Sequence, residues 1–187
     1  MDRNGYRFDE HGINLVGVRN TLTGERDKDT FNDQLAILFY QERRPILLTM
    51  PMTTDPGRAW RVAPITEAGT AILVPGQYPD LWRIGSHRGS HTALVQNAPC
   101  EVYRDSTGDA GLDFDELTTE RGQFGINLHR TAINHTPKLV DRWSAGCQVI
   151  ADYDDFSLAM ALCRKADRAG QKTFTYTLLE EGSLWIR

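Results

Sequence analysis

Three cysteines and five histidines are the residues of this chain with the widest chemical repertoire: Cys100, Cys147 and Cys163, with His11, His87, His91, His129 and His135. A thiol packs as a small hydrophobe, ligates a metal or attacks carbon as the thiolate. Cys163 falls on the apolar stripe of a helical pattern and is expected in the core. Cys100 follows Pro99 at the start of a strand-like run and is read the same way. Cys147 differs because it ends the small-residue run Ser144-Ala145-Gly146 after the polar loop "HTPKLVDRW". Small residues leave a sulfur accessible and let backbone amides approach a ligand. Local sequence leaves a packed thiol and a nucleophile equally open.

A nucleophilic thiol needs a base or a positive surrounding to lower a pKa that starts near 8.5. Imidazole is the natural base because it titrates near neutrality. His129 ends the apolar run Phe124–Leu128 and is expected at a strand end facing a cleft, whereas His135 reads as a solvated loop residue. Cys147 opens the next strand-like run, Gln148–Ala151, so two neighbouring strands would bring it to His129. Metal binding is the competing chemistry. "HRGSH" spaces His87 and His91 four apart, which aligns ligands on a helix, but the flanks read as strands with a Gly-containing turn. There is no HExxH glutamate and no second His/Cys pair at zinc spacing. No metal or cofactor is therefore expected. A serine triad through Ser144 or Ser86 lacks the Gly-x-Ser-x-Gly elbow.

The elements that must position these residues are mostly strands. Short apolar runs recur at 13–20, 31–41, 46–50, 70–74, 81–87, 91–97 and 100–105, punctuated by Asp55-Pro56-Gly57, Pro75-Gly76 and the polar turn "TLTGERDKD". One helix is predicted in "DYDDFSLAMALCRKADRAGQ". There Phe156, Ala159, Met160, Cys163 and Ala166 share a face, Asp152 caps the start and Gly170 stops the end. A closing strand, "KTFTYTLLE", follows. The expected fold class is mostly β, as β-sandwich-like mixed sheets with one C-terminal α-helix, in a single domain over residues 1–187.

Composition bounds the function. A net charge of −4 offers no basic excess for phosphate neutralisation, which argues against a general nucleic-acid binder. No stretch approaches the roughly 20 apolar residues of a membrane span. Three cysteines without CxxC spacing exclude a complete disulfide framework. The start "MDRNGYRFDEHG" has no apolar signal region, so synthesis in the cytoplasm without a recognisable signal peptide is expected.

The stretch 125–150 resembles the active-site segment of the L,D-transpeptidase (YkuD-like) catalytic domain. That family carries a His, a variable loop and then Ser/Thr-His-Gly-Cys; here His129 is followed by the loop 130–143 and by Ser144-Ala145-Gly146-Cys147. The resemblance implies Cys147 as nucleophile, His129 as its base, the Arg130 main-chain carbonyl as the group that orients that base, and the Gly146 and Cys147 amides near the oxyanion. Two positions depart from the family. Ala145 stands where the family has histidine, and Gln148-Val149 stand where a hydrophobic residue and then Arg or Asn are usual.

The resemblance implies a cysteine acyl-transfer enzyme acting on peptidoglycan stem peptides through a thioacyl intermediate. Hydrolysis, as a carboxypeptidase or endopeptidase, is expected over L,D-transpeptidase cross-linking. A wall enzyme without its own export signal would reach the cell wall through a phage lysis system or a secretion apparatus. Substrate contacts are expected from Ser144, His87, Arg88 and Arg83, the last three lying in "LWRIGSHRGSH". The rival expectation is a non-catalytic phage structural or wall-binding module that kept the fold, with Ala145 as its supporting feature.

Overall fold

The structure, a computed structural model, describes residues 5–22, 28–114 and 119–184. The centre of the predicted turn "TLTGERDKD" and the first residues of the chain lie outside these.

Eight strands close into a barrel. In chain order they are β1 (Asn14–Arg19), β2 (Asp33–Gln41), β3 (Arg44–Thr53), β5 (Gly76–His87), β6 (His91–Gln96), β9 (Leu128–Arg130), β10 (Gln148–Ile150) and β11 (Phe174–Glu180). Around the barrel they run β1-β11-β5-β6-β9-β10-β3-β2 and return to β1. A separate sheet orders β4 (Thr70–Leu73), β7 (Cys100–Asp105) and β8 (Glu120–Gly122). The helices are the short α1 (Arg58–Val62), α2 (Tyr153–Arg168) and α3 (Glu181–Leu184). The chain is thus mostly β, as its punctuation predicts, but the principal sheet is a closed barrel rather than a sandwich. The first and last barrel strands, β1 and β11, pair in parallel, which gives every barrel strand two neighbours and leaves no free edge.

Local chemistry explains the joints. β2 and β3 meet through Glu42-Arg43, both at positive φ (50° and 65°), the backbone of a two-residue hairpin turn matched to strand twist. β5 and β6 meet through Arg88-Gly89-Ser90, with Arg88 and Gly89 in the left-handed region. Helix α2 forms as predicted: Asp152 accepts from the amides of Asp154 and Asp155, and Gly170 follows at φ 115°. Its Phe156, Ala159, Met160 and Cys163 are buried in the same core cluster as barrel residues Leu35, Ile37, Met52 and Leu128. The expected strand Phe124–Leu128 is instead a loop that enters β9 only at Leu128. Side chains replace the missing strand partner. Gln96 Oε1 accepts from the amides of Phe124 and Ile126 (3.0 and 2.9 Å), and buried Trp82 Nε1 donates to Ile126 O (2.8 Å).

One polar cluster is buried among these strands. Arg19, fully enclosed, pairs with Asp55 (2.9 Å) and donates to Thr54 Oγ1, Thr54 O and Leu73 O, so it ties β4 to the barrel. Such a pair stabilises only while its charges are saturated with hydrogen bonds. Beside it Asp33 accepts from the Asn20 amide and from the Thr54 amide and hydroxyl. Burial, and then the neighbouring Asp55, push its carboxyl up to about 7.

Candidate active site

The site is assembled where the β5–β6 hairpin tip meets β9 and β10. β9 and β10 run in parallel, with Gln148 opposite Leu128 and Val149 opposite His129. Extending this register by one residue sets Cys147 beside Asn127, two residues ahead of His129 and on its side of the sheet, since side chains alternate. The backbone supports this placement, because the Gln148 amide donates to Asn127 O (2.8 Å). Gln148 itself points the other way, fully buried. It donates to Thr54 O (3.3 Å) and accepts from the Tyr176 hydroxyl (2.7 Å).

The turn that delivers Cys147 is held tightly. Gly146 has φ 113°, and a Cβ there would lie 2.3 Å from Ala71 O, so only glycine fits. Ser144 is fully buried; its hydroxyl donates to Cys147 O (2.8 Å) and accepts from the Gly146 amide (3.2 Å). The loop before it is anchored by Asp29, which accepts from the amides of Asp141 and Arg58. Trp60 Nε1 donates to Arg142 O (3.2 Å), and the Gly57 amide donates to Ser144 O (2.9 Å). Two expected roles change accordingly. Ser144 holds the turn from inside rather than reaching a substrate, and the Gly146 amide is engaged by that hydroxyl rather than open to an oxyanion.

The Cys147 thiol donates to Gly125 O (3.3 Å). Burial raises its pKa, while the Asn127 amide on the sulfur and the Arg88 charge act in the opposite direction. Cys147 is 9% exposed, whereas Cys100 and Cys163 are wholly enclosed with thiols pushed up to about 12 by burial. These two are core residues, as their positions predict.

His129 is buried, and its Nδ1 lies 2.9 Å from Arg130 O. A carbonyl only accepts, so Nδ1 carries the proton and Nε2 keeps its lone pair. Burial, followed by the neighbouring His87, pushes the imidazole down to about 3, which keeps it neutral. His129 and Cys147 make no hydrogen bond to one another; the sulfur is turned to Gly125.

His87 stacks on His129 with ring centroids 4.1 Å apart, and His91 stands 5.4 Å from His87. The HRGSH spacing therefore does align two histidines, although the chain there is not helical. A three-residue hairpin loop makes residues i and i+4 direct cross-strand partners, and His87 pairs with His91. Burial, then His91, pushes His87 down to about 4, and burial lowers His91 as well. Among the described residues no three His, Cys, Asp or Glu side chains converge to hold a metal ion.

A cleft of about 370 Å³ opens over these rings, lined by His87, Arg88, Ser90, His91, His129, Arg130, Thr131, Arg142 and Trp143. Three arginines line it and no carboxylate does, so the cleft favours an anionic ligand. Arg88 and His87 are part of this wall. Arg83, exposed on β5 opposite Val95, is not. His135 lies exposed in the loop, 3.0 Å from Asn134 Oδ1, and His11 lines a separate groove with Tyr40 and Gln171. Sequence reasoning overlooked Asn127, Arg142 and Trp143. Their roles come from strand register and loop anchoring, and no local motif marks them. No helix among the described residues is long and apolar enough to cross a membrane. Comparison with protein-family models, curated proteins and solved structures finds no match for the chain, so the likeness to L,D-transpeptidases rests on the segment from His129 to Cys147.

Proposed function

We propose that the protein is a cysteine acyl-transfer enzyme acting on peptidoglycan stem peptides, with Cys147 as nucleophile and His129 as base. The observation that carries this reading is the pairing of a neutral imidazole, its Nδ1–H tethered to Arg130 O, with a cysteine at the start of the adjoining parallel strand. That tether leaves the His129 Nε2 lone pair to take a proton. Rotation of the Cys147 side chain away from Gly125 O would bring the thiol toward it.

The reaction then balances without a cofactor. His129 Nε2 takes the thiol proton as sulfur attacks the amide carbonyl. Collapse of the tetrahedral adduct breaks the C–N bond, and the imidazolium proton leaves on the departing amine. The thioester is discharged by water, whose proton His129 takes before returning it to sulfur; an amine acceptor in place of water gives a cross-link. The arginine-lined cleft suits the free carboxylates of stem peptides.

Another observation favours the non-catalytic wall-binding reading: the resting thiol is bonded to a carbonyl and nearly enclosed. One experiment separates the two. Purified protein and Cys147→Ala are incubated with muropeptides and the products followed by mass spectrometry. Turnover by the wild type alone supports the enzyme and identifies hydrolysis or cross-linking from the product masses. Equal inertness of both proteins refutes activity on this substrate class.

A further inference from the structure

The two stacked imidazoles are locked in opposite tautomers. Asn127 Oδ1 accepts from the Gln96 amide (2.8 Å), a main-chain N–H that only donates. This fixes the Asn127 side chain, so the atom 3.1 Å from His87 Nδ1 is the amide nitrogen, which also only donates. His87 Nδ1 is therefore the acceptor, and a neutral His87 carries its proton on Nε2. His129 is the reverse, with the proton on Nδ1 and the lone pair on Nε2. Neither Nε2 belongs to the buried side-chain atoms that lack a partner, and neither has a protein partner. Both rings line the same cleft, so their Nε2 atoms meet it.

The site thus presents one proton acceptor and one proton donor side by side. Asn127 links the donor to the nucleophile's strand: the Gln148 amide donates to its main-chain carbonyl, and its side chain holds His87. Of the two amides that the sequence motif assigns to an oxyanion, those of Gly146 and Cys147, the first donates instead to Ser144 Oγ.

We propose that His87 is the oxyanion donor of this site. Its Nε2–H hydrogen-bonds the substrate carbonyl oxygen as the attack of Cys147 turns it into an alkoxide, and the proton stays on nitrogen throughout. The neutral ring suits this task, since it strengthens its bond as charge develops and has no charge to lose. This inference rests on Cys147 being an acylated nucleophile, but not on the identity of the peptide.

The test compares two reactions of the same sulfur in the full chain. Acylation by p-nitrophenyl acetate passes through a tetrahedral oxyanion; alkylation by iodoacetamide does not. His87→Phe keeps a ring over His129 and removes the donor. It is expected to slow acylation on the order of 100-fold relative to alkylation, the loss typical of one oxyanion donor. His87→Gln, whose side-chain amide restores an N–H, is expected to recover part of the acylation rate. Equal slowing of both reactions in His87→Phe, or of neither, overturns the proposal, as does a His87→Gln protein no faster than His87→Phe. A wild type that alkylates but never acylates overturns both the donor and the nucleophile. Acylation of a protein that leaves muropeptides untouched removes only the substrate assignment.

Discussion

Acidification should reveal the burial of His129 as a loss of stability. Its folded pKa lies at about 3 against 6.5 for the free side chain, chiefly because burial disfavours the imidazolium. Between these values the unfolded chain binds a proton that the folded chain does not. Stability is therefore full above pH 6.5 and falls as the pH drops toward 3. At pH 5 the difference covers roughly 1.5 pH units, or about 2 kcal/mol at 1.36 kcal/mol per unit. With a urea m-value of about 2 kcal/mol/M, the unfolding midpoint should fall by about 1 M between pH 7.5 and 5 on this account alone. Urea unfolding followed by tryptophan fluorescence measures it, and His129→Gln removes the titrating ring. His87 also stays neutral when folded, but its shift arises from burial, His91 and Arg88, so its contribution appears in both proteins and cancels. The midpoint of His129→Gln should thus move about 1 M less than that of the wild type. Equal movement in the two proteins would refute a neutral, buried His129, and with it the tautomer argument for the base.

Two further outcomes test the frame around the nucleophile. Gly146→Ala combines a strained φ with a Cβ 2.3 Å from Ala71 O and should cost at least about 3 kcal/mol in denaturant unfolding, whereas Gly89→Ala, also at positive φ but in open space, should cost only about 1–2 kcal/mol. Tyr176→Phe leaves the buried Gln148 Oε1 without its hydroxyl donor and should cost about 1–3 kcal/mol; combined with Gln148→Met, the total loss should be clearly smaller than the sum of the single losses.

The parts legible in the sequence are those specified by neighbouring residues. Asp152, the Phe156 to Ala166 stripe and Gly170 define α2 within one stretch, and most strands announce themselves by apolar runs between turn residues. Barrel closure is different, because the pairing of β1 with β11 joins residues 15 and 176 and leaves no mark in either strand. The run 124–128 looks like a strand because apolar residues fill it. Yet its backbone is satisfied by Gln96 and Trp82 side chains from distant strands, which no periodicity encodes. The motif spacing points to His129 and Cys147. It marks Gln148 only as a departure, without its burial in the barrel, and it is silent about Asn127, whose side-chain amide donates to His87. Arg83 and Arg88 look equivalent in sequence, and only the hairpin separates the one that lines the cleft from the one that does not.

The parallel pairing of β9 with β10 has a consequence for how this site could diversify. Antiparallel neighbours can be joined by two residues, but parallel ones require the chain to travel back along their length. The detour from Thr131 to Gly146 is obligatory, and it supplies Arg142 and Trp143 to the cleft wall. Since β9 and β10 are each also held by another barrel neighbour, β6 and β3, the exposed part of the detour, ahead of the anchored residues 140–146, can lengthen or change composition without moving either reactive side chain. Selectivity and reactivity are thereby separable: one can be rewritten in the excursion while the other stays locked in the wall of the barrel.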